Sequence, residues 1–179
     1  MRFGLLLSLV LLLPLPFSAQ ADQYYFGVMA GSTKYEEPGF DFKVDAFGGK
    51  LGYRLNDLLA AEVHALIGGS DEVQSGLNDV SFNLGYVTSA FVRADWVPVS
   101  DGRVRVYGLL GFSSADLEFA SGSTRVSATE TGVSFGAGLE LYANREHGIY
   151  FHWNRYLDDT LNGADYTLDG LGVGYMRNF

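Results

Sequence analysis

At 179 residues the chain suits a single domain and is short for two. Its net charge of −9 argues against nucleic acid as a partner. The absence of cysteine removes disulfides as a means of closing an exported fold, whereas 23 glycines, 15% aromatic residues and only 4 prolines suit a continuous ring of hydrogen-bonded strands.

In chain order the first element is a leader. Residues Met1 to Ala21 carry Arg2, an apolar run from Leu5 to Leu13, and the small-x-small site Ala19-Gln20-Ala21. Pro14 and Pro16 interrupt the run short of the roughly 20 apolar residues that a helical anchor needs. Residues 1–21 are therefore expected to be a cleaved signal peptide, and 22–179 the folded domain.

From Asp22 onward the apolar residues recur with period two and not 3.6. The segments predicted as strands are Asp22–Thr33, Asp41–Leu55, Leu58–Gly68, Val80–Val97, Arg103–Phe119, Thr124–Tyr142, Gly148–Leu157 and Ala164–Phe179. Connections at Asn56-Asp57, 99–102 and 143–147 are tight, and those at 33–40, 68–79, 119–124 and 157–163 are generally longer. This alternation predicts that 22–179 is an outer-membrane β-barrel domain with an all-β fold, an eight-stranded antiparallel up-and-down transmembrane β-barrel with both termini in the periplasm.

The faces decide between lipid and water. The second predicted strand sets Phe47, Leu51, Tyr53 and Leu55 against Gly48, Lys50, Gly52 and Arg54. The third sets Leu59, Ala61, Val63, Ala65 and Ile67 against Glu62 and His64. The fourth sets Phe82, Leu84, Tyr86, Ala90, Val92 and Trp96 against Asn83, Gly85, Ser89, Arg93 and Asp95. The sixth sets Val133, Phe135, Ala137, Leu139 and Leu141 against Ser134, Gly136, Gly138 and Glu140, and the last sets Leu171, Val173, Tyr175 and Phe179 against Gly170, Gly172, Gly174 and Asn178. An eight-stranded barrel holds only side chains inside, so the small and charged set belongs in the lumen and the bulky apolar set faces lipid. A soluble lipocalin-like barrel would invert this arrangement.

Ten residues at about 3.3 Å, tilted near 40°, rise roughly 25 Å, the height of an apolar band. Counting back from Leu55 and Phe179 reaches Asp45 and Asp169, where lipid should end. Tyr24, Tyr53, Trp96 and Phe179 are expected in the periplasmic aromatic girdle. Outward Arg177 is near enough to the rim to snorkel. Outward Arg155 leaves two readings open, a contact to lipopolysaccharide phosphates or a slipped register.

The run Phe47-Gly48-Gly49-Lys50-Leu51-Gly52-Tyr53-Arg54-Leu55-Asn56-Asp57 resembles the second strand and first periplasmic turn of the small outer-membrane barrels, the family of the OmpA transmembrane domain, OmpX and the opacity-type proteins. The ending Gly174-Tyr175-Met176-Arg177-Asn178-Phe179 is similar to the signal read by the barrel-assembly machinery, carried by Gly174, Tyr175 and Phe179. Arg177 departs from that signal, which usually has an aromatic or apolar residue there.

Pairing across the tight turns predicts Lys50 near Glu62 or His64, Asp95 near Arg105, Arg93 near Tyr107 and Glu140 near His152. With Arg54 these residues form the expected charge network of the lumen. It acts as a register-fixing polar core or, as the resemblance to OmpA allows, as a gate in a narrow conductance. No catalytic residue is assigned. The lipid A deacylase pattern would need a serine two residues after its histidine, where His152 is followed by Asn154, while His64 points inward and His147 lies in a turn.

Acidic loop residues Glu36, Glu37, Asp71, Glu72, Asp79, Asp116, Glu118, Asp158, Asp159 and Asp165 read as a solvated face or as sites for divalent-cation bridging to lipopolysaccharide. Neither Asp71-Glu72 nor Asp158-Asp159 matches a calcium loop. No cofactor and no metal are expected. The expected partners are outer-membrane lipid, lipopolysaccharide and the barrel-assembly machinery, with the protein a monomer. The leading functional expectation is a non-enzymatic structural or surface-interaction role, followed by a narrow pore for small solutes and, further off, lipid A modification.

Overall fold

A polypeptide whose outward face must be apolar in lipid can leave no backbone group unpaired there, and this chain meets the demand by closing a sheet on itself. The computed structural model describes residues 23–75, 78–98, 102–122, 124–161 and 164–179, and the expected signal segment lies outside them. The strands are β1 (Tyr24–Glu37), β2 (Phe40–Arg54), β3 (Leu59–Gly68), β4 (Ser70–Ser75), β5 (Asn78–Trp96), β6 (Val104–Ser121), β7 (Thr124–Tyr142), β8 (His147–Leu161) and β9 (Ala164–Asn178). β3 and β4 are two halves of one stave interrupted at Gly69, both pairing with β5, so the closed ring has eight staves. Every pairing is antiparallel, and β1 meets β9 along twelve register pairs from Tyr25↔Asn178 to Glu36↔Thr167.

The tight turns lie at the end of the barrel that carries both termini, here the terminal end. Two of them are asparagine turns: the Asn56 side-chain oxygen accepts the amides of Leu58 and Leu59, each at 2.9 Å, and Asn144 Oδ1 accepts those of Glu146 and His147 at 2.9 and 2.8 Å. Trp96, Tyr24 and Phe179 ring this end, outward and exposed.

The other, distal end differs from the sequence expectation. Pairing of β1 with β2 continues to Glu37↔Phe40 and turns at Gly39, whose φ of 94° favours glycine. β6 and β7 pair to Ser121↔Thr124, β8 runs to Leu161, and β4 occupies part of the expected 68–79 loop. The predicted strands stopped short because the outward apolar alternation stops. Beyond Ala30 and Phe47 the outward residues become Ser32, Lys34, Asp45 and Lys43, while inward Tyr35, Phe42 and Val44 continue the pairing in a barrel that has left the lipid.

The inside and outside faces follow the predicted parity on most staves, with two interruptions. A bulge in β5 between Leu84 and Val87 flips the strand, so Phe82 and Leu84, expected to face lipid, are fully buried and Asn83 is exposed. A second, in β8 between Arg155 and Leu157, turns both Tyr156 and Leu157 inward.

Inward glycines make room for rings lying across the lumen. A Cβ on Gly52 would sit 2.0 Å from the Tyr25 ring, and one on Gly138 would sit 2.2 Å from that of Tyr107. Gly138→Val should therefore lower unfolding stability by about 1–3 kcal/mol in urea titrations of the micelle-embedded protein. Gly108→Ala, whose Cβ would meet nothing nearer than 3.9 Å, should change it by less than about 0.5 kcal/mol.

Candidate functional site

The inward residues of the terminal half build one connected polar cluster. Arg93 on β5 has 0% of its surface exposed and lies at the centre. Its Nη1 donates to Glu62 Oε1 from β3 at 2.7 Å and to Glu140 Oε1 from β7 at 2.5 Å. Its Nε and Nη2 donate to Asp95 Oδ1 at 2.8 and 2.6 Å. The flat guanidinium also lies 3.9 Å from the Tyr107 ring centre. Lys50 on β2 bridges the same carboxylates, 3.4 Å from Glu62 and 3.3 Å from Glu140, with its ammonium 4.1 Å above the Tyr150 ring.

Two tyrosines and a histidine complete the shell of the carboxylates. Tyr25 OH donates to Glu62 Oε1 at 2.6 Å, His64 Nε2 lies 2.7 Å from Glu62 Oε2, and Tyr142 OH donates to Glu140 Oε2 at 2.8 Å. Arg54 donates to Asn178 Oδ1 at 3.0 Å and to the Tyr142 hydroxyl oxygen at 2.9 Å. Burying this many ions is tolerable only because each close pair is also hydrogen-bonded.

Lys50 meets Glu62, as the turn geometry predicts, and also Glu140 from the far wall. Arg93 packs on Tyr107 although its register partner is Leu109. Asp95 pairs mainly with Arg93, and Arg105 stands 3.6 Å from its Oδ2. Glu140 and His152 do not form their expected pair. The β7–β8 register sets Glu140 opposite Tyr150 and Gly138 opposite His152, so Glu140 reaches across the lumen while His152 stacks on Tyr150 at 5.7 Å. The inward tyrosines Tyr25, Tyr142 and Tyr150 are additional to the residues expected in the lumen; their signal is parity, since each shares the face of an inward glycine or ion.

Above the ions lies a thin layer of weaker polar groups. Ser89 and Ser113 hydrogen-bond at 2.7 Å, and the His64 and His152 rings lie 6.5 Å apart. Above that, the lumen is filled by rings. Tyr35 lies 5.2 Å from Phe82, 5.2 Å from Phe119 and 5.6 Å from Tyr166, and Phe42 packs on Phe82 at 5.4 Å. Leu84, Leu117, Leu157 and Leu168, each 0% exposed, pack with these rings in one apolar cluster. Nothing in the expected charged lumen anticipated this plug, because Tyr35 and Phe82 fell respectively in a predicted loop and on the predicted lipid face.

Outside, Arg155 makes a two-pronged contact with Asp169 at 2.9 and 3.0 Å and reaches Asp158 at 3.1 Å. It keeps its outward place in register with Phe135 and Asp169, and the β8 bulge follows directly after it. Arg177 sits 3.8 Å from Glu146 and 5.3 Å from the Phe179 ring. Of the terminal motif, Gly174 faces the Tyr150 ring, while Tyr175 and Phe179 point outward. On the distal rim Lys34 is held by Asp41 at 2.8 Å and Glu36 at 2.6 Å, hydrogen bonds that push its ammonium up to about 12. The remaining loop acids, Glu37, Asp71, Glu72, Asp116, Glu118, Asp158, Asp159 and Asp165, are spread over this rim, and the side chain of Asp79 lies outside the described residues. Among the described residues no three His, Cys, Asp or Glu side chains converge as a metal site.

A closed barrel of eight antiparallel staves, with an apolar outer band and ions within, defines an outer-membrane β-barrel. The chain belongs to the outer membrane protein beta-barrel domain family, whose model matches residues 3–179. Among solved structures it is similar to Ail, the attachment invasion locus protein of Yersinia pestis, with 20% identity over 88% of this chain and 99% of that one and a TM-score of 0.59. It is also similar to Neisserial surface protein A, with 17% identity over 87% and 97% and a TM-score of 0.62. The N-terminal barrel of Pseudomonas aeruginosa OprF matches with 18% identity over 84% and 96% and a TM-score of 0.50. These likenesses concern the fold. No curated protein sequence matches the chain significantly.

Removing the central cation leaves Glu62, Glu140 and Asp95 buried with Lys50 alone between the first two. Arg93→Met should therefore lower unfolding stability by about 3–5 kcal/mol. Equilibrium urea unfolding followed by tryptophan fluorescence measures the difference.

Proposed function

We propose that this protein is a non-enzymatic barrel of the outer membrane that reinforces the envelope and presents its distal hairpins to lipopolysaccharide and host surfaces, with both termini periplasmic. The observation that carries the reading is that the lumen is filled twice, by the Arg93 ion cluster and by the Tyr35–Phe82–Phe119 ring cluster. A solute crossing this interior would have to displace buried ion pairs and then an apolar plug, which disfavours the pore reading. The exposed chemistry is then that of the distal rim, whose excess of carboxylates favours cationic partner surfaces and lipopolysaccharide phosphates bridged by divalent cations.

A structure of Ail in complex with the heparin analogue sucrose octasulfate is known. The acidic rim here would repel such a polyanion, so any shared surface role would be exercised on different ligands. Lipid A chemistry is disfavoured by the position of His152, which is 5% exposed inside the barrel. The tight turns at the terminal end and the longer hairpins at the other support the orientation. The barrel-assembly machinery is the proposed reader of Gly174, Tyr175 and Phe179.

Planar-bilayer recordings of the purified protein should show no channel events above empty-bilayer controls, and sustained conductance would overturn the closed-barrel reading. Orientation is tested separately. An epitope inserted at Gly122 should be labelled by antibody on intact cells and one at Asn144 only after permeabilisation, with the opposite pattern reversing the assignment.

A further inference from the structure

The terminal mouth of the barrel is basic in a chain that is acidic overall. Arg54, Arg103, Arg105 and Arg145 line an open cavity of about 570 Å³ there, and Asp57 is the acidic residue among its described lining. The size is that of a small-molecule site.

Cations outnumber carboxylates at the inner wall of this cavity, although Asp95 Oδ2, 3.6 Å from Arg105, accepts no hydrogen bond. Lys50, Arg54, Arg93 and Arg105 share three carboxylates, Glu62, Asp95 and Glu140. The close contacts all go to Lys50 and Arg93. Arg54 is left 4.0 Å from Glu140, and Arg105 is left 3.6 Å from Asp95, both beyond hydrogen-bond length. The acceptors Arg54 does reach, Asn178 Oδ1 and the Tyr142 hydroxyl oxygen, are neutral. The Nε–H groups of both Arg54 and Arg105 are buried with no acceptor. These Nε–H groups lie below the cavity surface, so an anion in the cavity would meet the exposed parts of the two arginine side chains, 11% and 19% of their surface, and offset their undercompensated charge.

We propose that this mouth binds a phosphate-bearing anion, held by Arg54 and Arg105 at the inner wall and by Arg145 at the rim. Phosphate fits better than carboxylate because its oxygens are arranged tetrahedrally and meet guanidinium forks arriving from different directions, whereas a carboxylate offers two oxygens in one plane. The phosphate belongs either to a soluble ester entering the mouth or to a lipid headgroup folding over the rim, and both present the same group to the arginines.

The test is calorimetric titration of the full protein with inorganic pyrophosphate, in a sugar-headgroup detergent free of phosphate. Wild-type protein should show one saturable site. Arg105→Gln should weaken it about tenfold or more, the loss of one charge-assisted contact, and the exposed Arg145→Gln should weaken it by about threefold. Lys34→Gln, at the opposite end, should leave it unchanged. Heat-modifiable gel mobility verifies that each variant is folded, and Arg145→Gln carries the test if Arg105→Gln is not. Repeating the titration in nanodiscs separates the sources: competition by phosphatidylglycerol but not phosphatidylcholine assigns the site to lipid headgroups, and equal affinity in both assigns it to soluble esters. Absence of saturable binding to the wild type, or undiminished binding to folded Arg105→Gln and Arg145→Gln, would overturn the proposal.

Discussion

Arg93 is a guanidinium with none of its surface exposed, held inside a barrel that is itself surrounded by lipid. Such a charge persists only where carboxylates meet it at close range. Glu62, Asp95 and Glu140 do so from three staves, and that arrangement ties β3, β5 and β7 together across the ring. Once these ions meet, Lys50 is drawn to the same two glutamates. The tyrosines Tyr25, Tyr107, Tyr142 and Tyr150 fill the space around them, and inward glycines are needed where rings lie against the wall. A one-residue slip of any of these staves would turn its ion toward lipid, so the network also specifies register.

The same barrel solves two solvent problems along its length. In lipid the outside is apolar and the inside ionic. Beyond Ser32, Asp45 and Asp169 the outside is charged and the inside is an aromatic and aliphatic core like that of a water-soluble protein. Six residues on the distal interior, Tyr35, Phe42, Phe82, Leu84, Leu117 and Leu168, are at most 1% exposed. The bulges in β5 and β8 fall at this transition and let those strands exchange a lipid-facing pattern for a core-facing one without breaking the ladder. Arg155, beside the β8 bulge, is neutralised by Asp169 and Asp158 where lipid gives way to water.

Much of this was legible in the chain because period two is a strong signal when one face must be apolar. Phe47, Leu51 and Val63 identified the outside, and Lys50, Glu62 and Arg93 fell on the inside by parity alone. What parity does not carry is distance across the lumen. The contact between Lys50 and Glu140 joins residues 90 positions apart and exists only after the ring closes. Bulges were equally hidden, because a single extra residue at Leu84–Val87 leaves no compositional mark, and Phe82 reads as a lipid-facing residue on either side of it. The distal ends of β1 and β8 were underestimated for a different reason: the outward pattern ends with the lipid, although the pairing continues, carried in β1 by inward Tyr35.

The dependence of the interior on Arg93 is tested most directly by a double-mutant cycle between Arg93→Met and Glu140→Gln, with unfolding stability as the readout. If the two side chains are partners in one buried cluster, their effects will be strongly non-additive, with a coupling of about 2 kcal/mol or more. Additive effects, with coupling below about 0.5 kcal/mol, would mean that Arg93 does not organise the interior.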